Sequence, residues 1–222
     1  DGAIGFTQIQ TKGDLVTNFT SGEKMAVYAW QYNEQAPKTQ NPSLMQAEEV
    51  TYDGTDWTYS PLKYWPLNAL VDFYAYYPLG AASAVNYSSA GVPSFTFSIP
   101  TAPADQKDLM VANPLIGKTK DDTDIDNGRA TLAFKHILSG IKFTINNTLK
   151  SDDKYTLTVG YAAESPEAAG VLKTSGAFDC ADMSWKSISG AGTVSFVEKT
   201  NNDPQQMFVV PGTIEMYCHM VA

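Results

Sequence analysis

The chain has 222 residues, 43% of them hydrophobic and 12% aromatic, so a sizeable core is within reach and the length fits one large or two ordinary domains. A formal net charge of −9, two histidines and a single arginine, Arg129, exclude the basic patch by which proteins grip a nucleic-acid backbone. No apolar run approaches the roughly 18 residues that suggest a membrane-spanning helix. Tyrosine, phenylalanine, glycine and proline are plentiful, which favours strands and turns and predicts an all-β protein.

The first segment, "AIGFTQIQTKGDL", alternates loosely, with Ile4 and Phe6 on one side and Thr7, Ile9 and Thr11 on the other, before a polar break at Lys12 and Gly13. "MAVYAW" then reads as a strand with Met25, Val27 and Ala29 on one face and Ala26, Tyr28 and Trp30 on the other. Between "EVTY" and "DWTY", Asp53-Gly54 predicts a hairpin with a two-residue turn. In "VDFYAYYP", residues 71–78, Val71, Phe73, Ala75 and Tyr77 share one face while Asp72, Tyr74 and Tyr76 share the other. So many rings in one stretch suit a central strand with both faces at least partly covered.

"SFTFSIP" places Phe95, Phe97 and Ile99 together, and "DLMVAN" follows a proline-containing loop. Residues 117–128, "GKTKDDTDIDNG", hold one apolar residue, Ile125, and read as an acidic linker between an N-terminal domain, 1–128, and a C-terminal domain, 129–222. Beyond it, "ATLAFKHILSGIKFTI" changes the phase of its dry face near Ser139-Gly140, which predicts one long strand bulged at the glycine. The remainder, "YTLTVGY", "AGTVSFVE", "QQMFVVP" and "TIEMYCHMVA", continues in strand style. The last of these sets Ile214, Met216, Cys218 and Met220 against Glu215, Tyr217, His219 and Val221, and the sequence stops inside that pattern, so the second domain reads as incomplete at its end.

Little in the chain points to chemistry. Asp122, Asp124 and Asp126 have the spacing of a calcium loop, but Asn127 stands where its glycine belongs and Ala133 where its glutamate belongs, leaving only a weak cation candidate. His136 reads as a core or interface residue, and no nucleophile elbow, phosphate loop, dinucleotide fingerprint or zinc-protease motif is present. The expectation is a protein that is not an enzyme and needs no cofactor. Cys180 and Cys218 are too few for a stapled scaffold or a four-ligand zinc site, and leave open either one disulfide or two ordinary strand cysteines. The rings of Trp57, Tyr59, Tyr64, Trp65, Tyr74, Tyr76 and Tyr77 allow a sugar-stacking platform, although filling the space between two sheet layers accounts for them better.

Taken in order, "MAVYAW", "DWTYSPLKYWP", "VDFYAYYP", "FTFSIP", "DLMVAN", "ATLAFKHILSGIKFTI" and "MFVVP" resemble the fimbrillin family of Bacteroidetes, which supplies major, anchor and tip subunits of fimbriae. The resemblance spans residues 25–211. It implies two tandem transthyretin-like β-sandwich domains with Greek-key type antiparallel sheets, the second opening near Ala130. It also implies a structural subunit of a surface fimbria, exported as an outer-membrane lipoprotein whose lipid anchor is its one link to the membrane, and contributing to adhesion. Such subunits polymerise when a protease removes the first strand and a neighbour's strand fills the groove. Here the processing site would be Lys12, the removable strand would carry Ile4, Phe6 and Ile9, and the far edge strand would carry Ile214, Met216, Cys218 and Met220. Partners would be other fimbrial subunits and, at the surface, host or bacterial ligands. The rival expectation is a monomeric cell-surface module that binds carbohydrate through its aromatics.

Overall fold

The computed structural model describes residues 2–10, 18–144, 154–161, 170–200, 202–211 and 217–221. Among them are the strands β1 (Gly5–Gln10), β2 (Lys24–Tyr32), β3 (Met45–Tyr52), β4 (Trp57–Thr58), β5 (Leu70–Tyr77), β6 (Ala82–Tyr87), β7 (Pro93–Ser98), β8 (Met110–Ala112), β9 (Leu115–Lys118), β10 (Ile125–Asp126) and β11 (Arg129–His136). The chain continues with β12 (Ser139–Thr144), β13 (Lys154–Tyr161), β14 (Ser175–Asp179), β15 (Ser184–Ser189), β16 (Val194–Thr200), β17 (Pro204–Val209) and β18 (Tyr217–Val221). The described helical structure is a single 3₁₀ turn, Pro103–Asp105, so the protein is all-β as its composition predicts. Two compact units form, one from Asp1–Thr96, Leu109–His136 and Phe178–Ser184 and the other from Phe97–Asp108, Ile137–Ala177 and Trp185–Ala222.

The first unit is organised by a sheet that returns to its own start. Its strands follow the order β1-β4-β3-β2-β5-β8-β11-β10, and β1 pairs with β11 as well, so the path from β1 to β11 closes. Most neighbours are antiparallel, but β1 and β11 run parallel over six residue pairs, from Gly5 opposite Arg129 to Gln10 opposite Phe134. The purely antiparallel expectation fails there, because closing this path brings β1 beside β11 with both chains running the same way. Inside the closed sheet the alternating residues Met25, Val27 and Ala29 of β2, Val71, Phe73 and Ala75 of β5, Met110 and Ala112 of β8, and Ala130, Leu132 and Phe134 of β11 form one core.

β5 is covered on both faces, as its rings suggest. Phe73 and Tyr77 enter the inner core, while Tyr74 and Tyr76 on the opposite face are 2% and 4% exposed. Tyr76 meets Phe95 with ring centroids 4.9 Å apart, Tyr28 meets Phe95 at 5.5 Å, and Trp30 lies edge-on to Tyr74 at 5.4 Å and to Tyr87 at 5.6 Å. Separations in this range are the tilted contacts that aromatic quadrupoles favour.

Three sequence expectations change. The hairpin forms, with Tyr52 opposite Trp57, but its loop has four residues, 53–56. Asp53 Oδ1 accepts the amides of Thr55 and Asp56, both at 2.8 Å, and Gly54 takes a φ of +108°. The side-chain acceptor supplies the turn that an Asp-Gly pair alone would have made. Residues 129–144 are two strands with a break at Ile137 and Leu138, β11 pairing with β1, β8 and β10 and β12 pairing with β17; the change of phase marks a change of sheet, not a bulge. Residues 117–128 also carry structure. They include the end of β9 and all of β10, Ile125 is buried, and Lys118 pairs with Asp124 at 2.6 Å. Arg129–His136 is laddered to three strands of the first unit and lies within that unit.

In the second unit β12 pairs with β17, and β13 lies between β16 and β18. Tyr155, Leu157 and Val159 of β13 pack with Leu172, Val194, Phe196, Met207 and Val209 in a separate core.

The hairpin turn supplies a pH test. Hydrogen bonds from the Asp56 amide first and the Thr55 amide second hold the Asp53 carboxyl below the usual carboxylate range, so its contribution is present above the unfolded pKa and is lost as pH falls through the folded one. Asp53→Ala should therefore lower stability at neutral pH and lose that effect in acid, read from urea unfolding of both proteins across the acid range.

Candidate functional site: the seat of the first strand

β1 reaches its place through both of its edges. On one side lies the parallel ladder to β11. On the other, Phe6 stands opposite Trp57 of β4, the amide of Ile4 donates to Lys63 O at 2.9 Å, Ala3 bridges Tyr64, and the amide of Trp65 donates to Gly2 O at 3.3 Å. The chain from Trp57 to Trp65 thus follows the strand and satisfies backbone groups that a free edge would expose.

The alternation seen in the sequence decides which side chains are swallowed. Ile4 and Phe6 are 1% and 2% exposed and belong to the inner core. Phe6 stands edge-on to Phe73 at 5.9 Å and tilted against Tyr59 at 5.8 Å. Burying a branched aliphatic and an aromatic side chain is worth about 1.5–3 kcal/mol each, so these two residues fix which face of the strand points inward. Ile9 lies opposite Ala133 in the ladder, while its side chain and the whole of Lys12 lie outside the described residues.

Polar groups lock the entry of the strand. The Tyr59 hydroxyl donates to Ile4 O at 2.8 Å and accepts the Lys63 amide at 3.2 Å, and burial raises its pKa, which keeps the donor proton in place. Trp65 Nε1 donates to Gly128 O at 2.8 Å, and the Gly5 amide donates to the same carbonyl at 3.1 Å. Gly128 has a φ of +80°, and a Cβ there would stand 3.2 Å from Ala3 O. A side chain at this position would be strained by its backbone and pressed against the entering strand. The sequence singled out Ile4 and Phe6 but gave no sign of the Tyr59 and Trp65 clasp, whose partners lie 55 and 63 residues away.

The other sequence candidates do not come together. Asp122 Oδ2 accepts the Thr119 amide, Asp124 is paired with Lys118, and Asp126 Oδ1 accepts Asn127 Nδ2, so each carboxylate is turned to its own neighbour. No group of three metal-ligating side chains exists among the described residues. Cys180 is a buried free thiol in the turn after β14, its pKa raised by burial, which removes the disulfide alternative. Cys218 and Met220 occupy β18 opposite Val159 and Leu157, at one end of the order β16-β13-β18; Ile214 and Met216 lie outside the described residues. Of the seven rings offered as a sugar platform, Trp57, Trp65, Tyr74, Tyr76 and Tyr77 are at most 8% exposed, so they pack the layers, and Tyr64 alone is largely open, at 55%.

These features define a β protein whose distinctive site is a seat for a strand, made of ladder groups and apolar recesses. The chain belongs to the fimbrillin-like family, whose sequence model matches residues 11–222. That family consists of fimbrial structural proteins, not enzymes. The chain is 26% identical over 175 residues to fimbrium subunit Fim1C of Phocaeicola vulgatus, a match covering 69% of this chain and 46% of that protein. It therefore spans about half the length of this curated relative. In fold it is similar to a fimbrial protein from Bacteroides vulgatus, with a TM-score of 0.64 and 17% identity over 95% of this chain and 77% of the other. A candidate cell adhesion protein from Bacteroides uniformis gives a TM-score of 0.62 and 20% identity over 99% of this chain and 78% of the other.

Phe6→Ala should cost about 3–5 kcal/mol, because the inner core loses a ring with no room to collapse around the gap. Leu67→Ala, 80% exposed, should stay within about 0.5 kcal/mol. Chemical denaturation of the two variants beside the parent chain measures both.

Proposed function

We propose that this chain is a structural subunit of a bacterial surface fimbria, built as two transthyretin-like sandwich domains and assembled with other subunits by strand exchange. The supporting observation is the seat of β1. Ile4 and Phe6 are buried where the chain enters β1, and β1 completes a sheet that otherwise has two open edges, β4 and β11. Withdrawal of such a strand would expose apolar recesses and unpaired amides and carbonyls together, a combination that an added strand satisfies.

In this reading the protein is carried to the cell surface as an outer-membrane lipoprotein and is cut behind Lys12. A neighbour's strand then takes the places of Ile4, Phe6 and Ile9. The strand bearing Ile214, Met216, Cys218 and Met220 serves as the complementary edge, and the polymer contributes to adhesion. The fimbrillin-like family match and the fimbrium subunit relative support the role, and the burial of the aromatics weighs against the glycan-platform rival.

Limited digestion of the native protein with a lysine-specific protease, followed by intact mass and size-exclusion chromatography, tests the reading. Loss of residues 1–12 together with a ladder of oligomers is the expected outcome. Resistance at Lys12, or clean cleavage that leaves a stable monomer, would overturn assembly by release of this strand.

A further inference from the structure

One buried charged pair plays no part in seating β1. Asp72 is the third residue of β5 and is 2% exposed, an unusual place for a carboxylate. Lys38 reaches it from the loop between β2 and β3, with Nζ 2.6 Å from Asp72 Oδ2 and side chains 16% and 3% exposed. The other carboxylate oxygen, Oδ1, accepts the Tyr32 hydroxyl at 2.8 Å and the Gly117 amide at 2.7 Å. Two rings flank the amine, Trp30 at 5.1 Å and Tyr74 at 5.4 Å from Nζ to the centroids. The loop is pressed into this position: a Cβ at Gly91 would stand 2.9 Å from Lys38 Cε and 2.6 Å from Thr39 O, and Trp30 Nε1 donates to Gln40 O at 3.4 Å.

From this arrangement we infer that Lys38 and Asp72 condense into an amide, a covalent cross-link between the β2–β3 loop and the central strand. The site holds a nucleophile and an electrophile in contact, screened from water by aromatic walls, which is the positioning that makes an intramolecular reaction fast. The reaction begins with transfer of a proton from the Lys38 ammonium to Asp72 Oδ2 across the short contact, which gives a neutral amine and a carboxylic acid. The Lys38 nitrogen lone pair then attacks Asp72 Cγ, and the C=O π pair moves to Oδ1.

There the Tyr32 hydroxyl and the Gly117 amide already point, acting as an oxyanion hole. Burial and the Asp72 carboxylate push the Tyr32 phenol up to about 12, so it remains a donor. When the tetrahedral centre collapses, Oδ1 becomes the amide oxygen and Oδ2 leaves with its own proton and one from the nitrogen. The products are one amide and one water, with no oxidant and no outside reactant. The bond would fasten across 34 residues a loop that is otherwise held by hydrogen bonds and packing, in a chain whose Cys180 forms no disulfide. It requires neither strand exchange nor cleavage at Lys12.

The test is the intact mass of the purified full-length protein under denaturing conditions, with peptide mapping. The parent chain should be lighter than its sequence by one water, and a digest should contain a branched peptide joining Lys38 to Asp72. Lys38→Arg, which keeps a cation beside Asp72 but offers no such amine, should restore the full mass. A parent mass equal to the sequence sum with Lys38 recovered as a free amine overturns the inference. A lost water that persists in Lys38→Arg, or that maps to another pair, overturns it equally.

Discussion

The double pairing of β1, laddered to β11 on one edge and joined to β4 on the other, is the contact on which the first unit depends. With that one strand in place, β4 and β11 gain their second partners and every strand from β4 round to β11 is paired on each side. A sheet with β4 and β11 as open edges would present a row of unpaired amides and carbonyls and uncover the recesses that hold Ile4 and Phe6. Ladder hydrogen bonds and apolar burial therefore stand or fall together at this strand. Closure of the sheet and burial of the core consequently draw on the same residues.

The aromatic layer outside the closed sheet plays a different part. Tyr28, Trp30, Tyr74 and Tyr76 cover the outer face of β2 and β5 and meet Tyr87 and Phe95 at tilted geometries. Large rigid rings fill the space between layers while giving up little conformational freedom. Into this layer the fold admits one carboxylate, Asp72, and satisfies it with Lys38, Tyr32 and Gly117. A carboxyl group this deeply buried is accommodated only with partners such as these.

Sequence periodicity located these layers well. The two faces of β2 and β5 and the inward side chains of Ile4 and Phe6 follow from alternation over a few residues, because a strand's side-chain period is local, and the hairpin after Tyr52 follows from its Asp53-Gly54 turn signal. What it misjudged were continuities. "ATLAFKHILSGIKFTI" reads as one strand since its apolar run is unbroken, yet the chain leaves one sheet at His136 and enters another at Ser139. β14 and β15 gave no signal, since "SGAFD" and "SWKSIS" are short and polar and are held by their pairing rather than by their pattern.

The amino-acid sequence by itself determined an all-β chain, a ring-rich central strand, an apolar first strand and a likeness to fimbrillins. Composition and short-range alternation carry all of these. Tertiary structure alone decided that β1 runs parallel to β11, that Arg129–His136 stays with the first unit, and that Tyr59, Trp65 and Gly128 clasp the entering strand. It alone brought Lys38 to Asp72. Each of those facts joins residues tens of positions apart, and the choice among possible partners is made by closure of the sheet and by burial of charge, neither of which leaves a mark on a local run of residues.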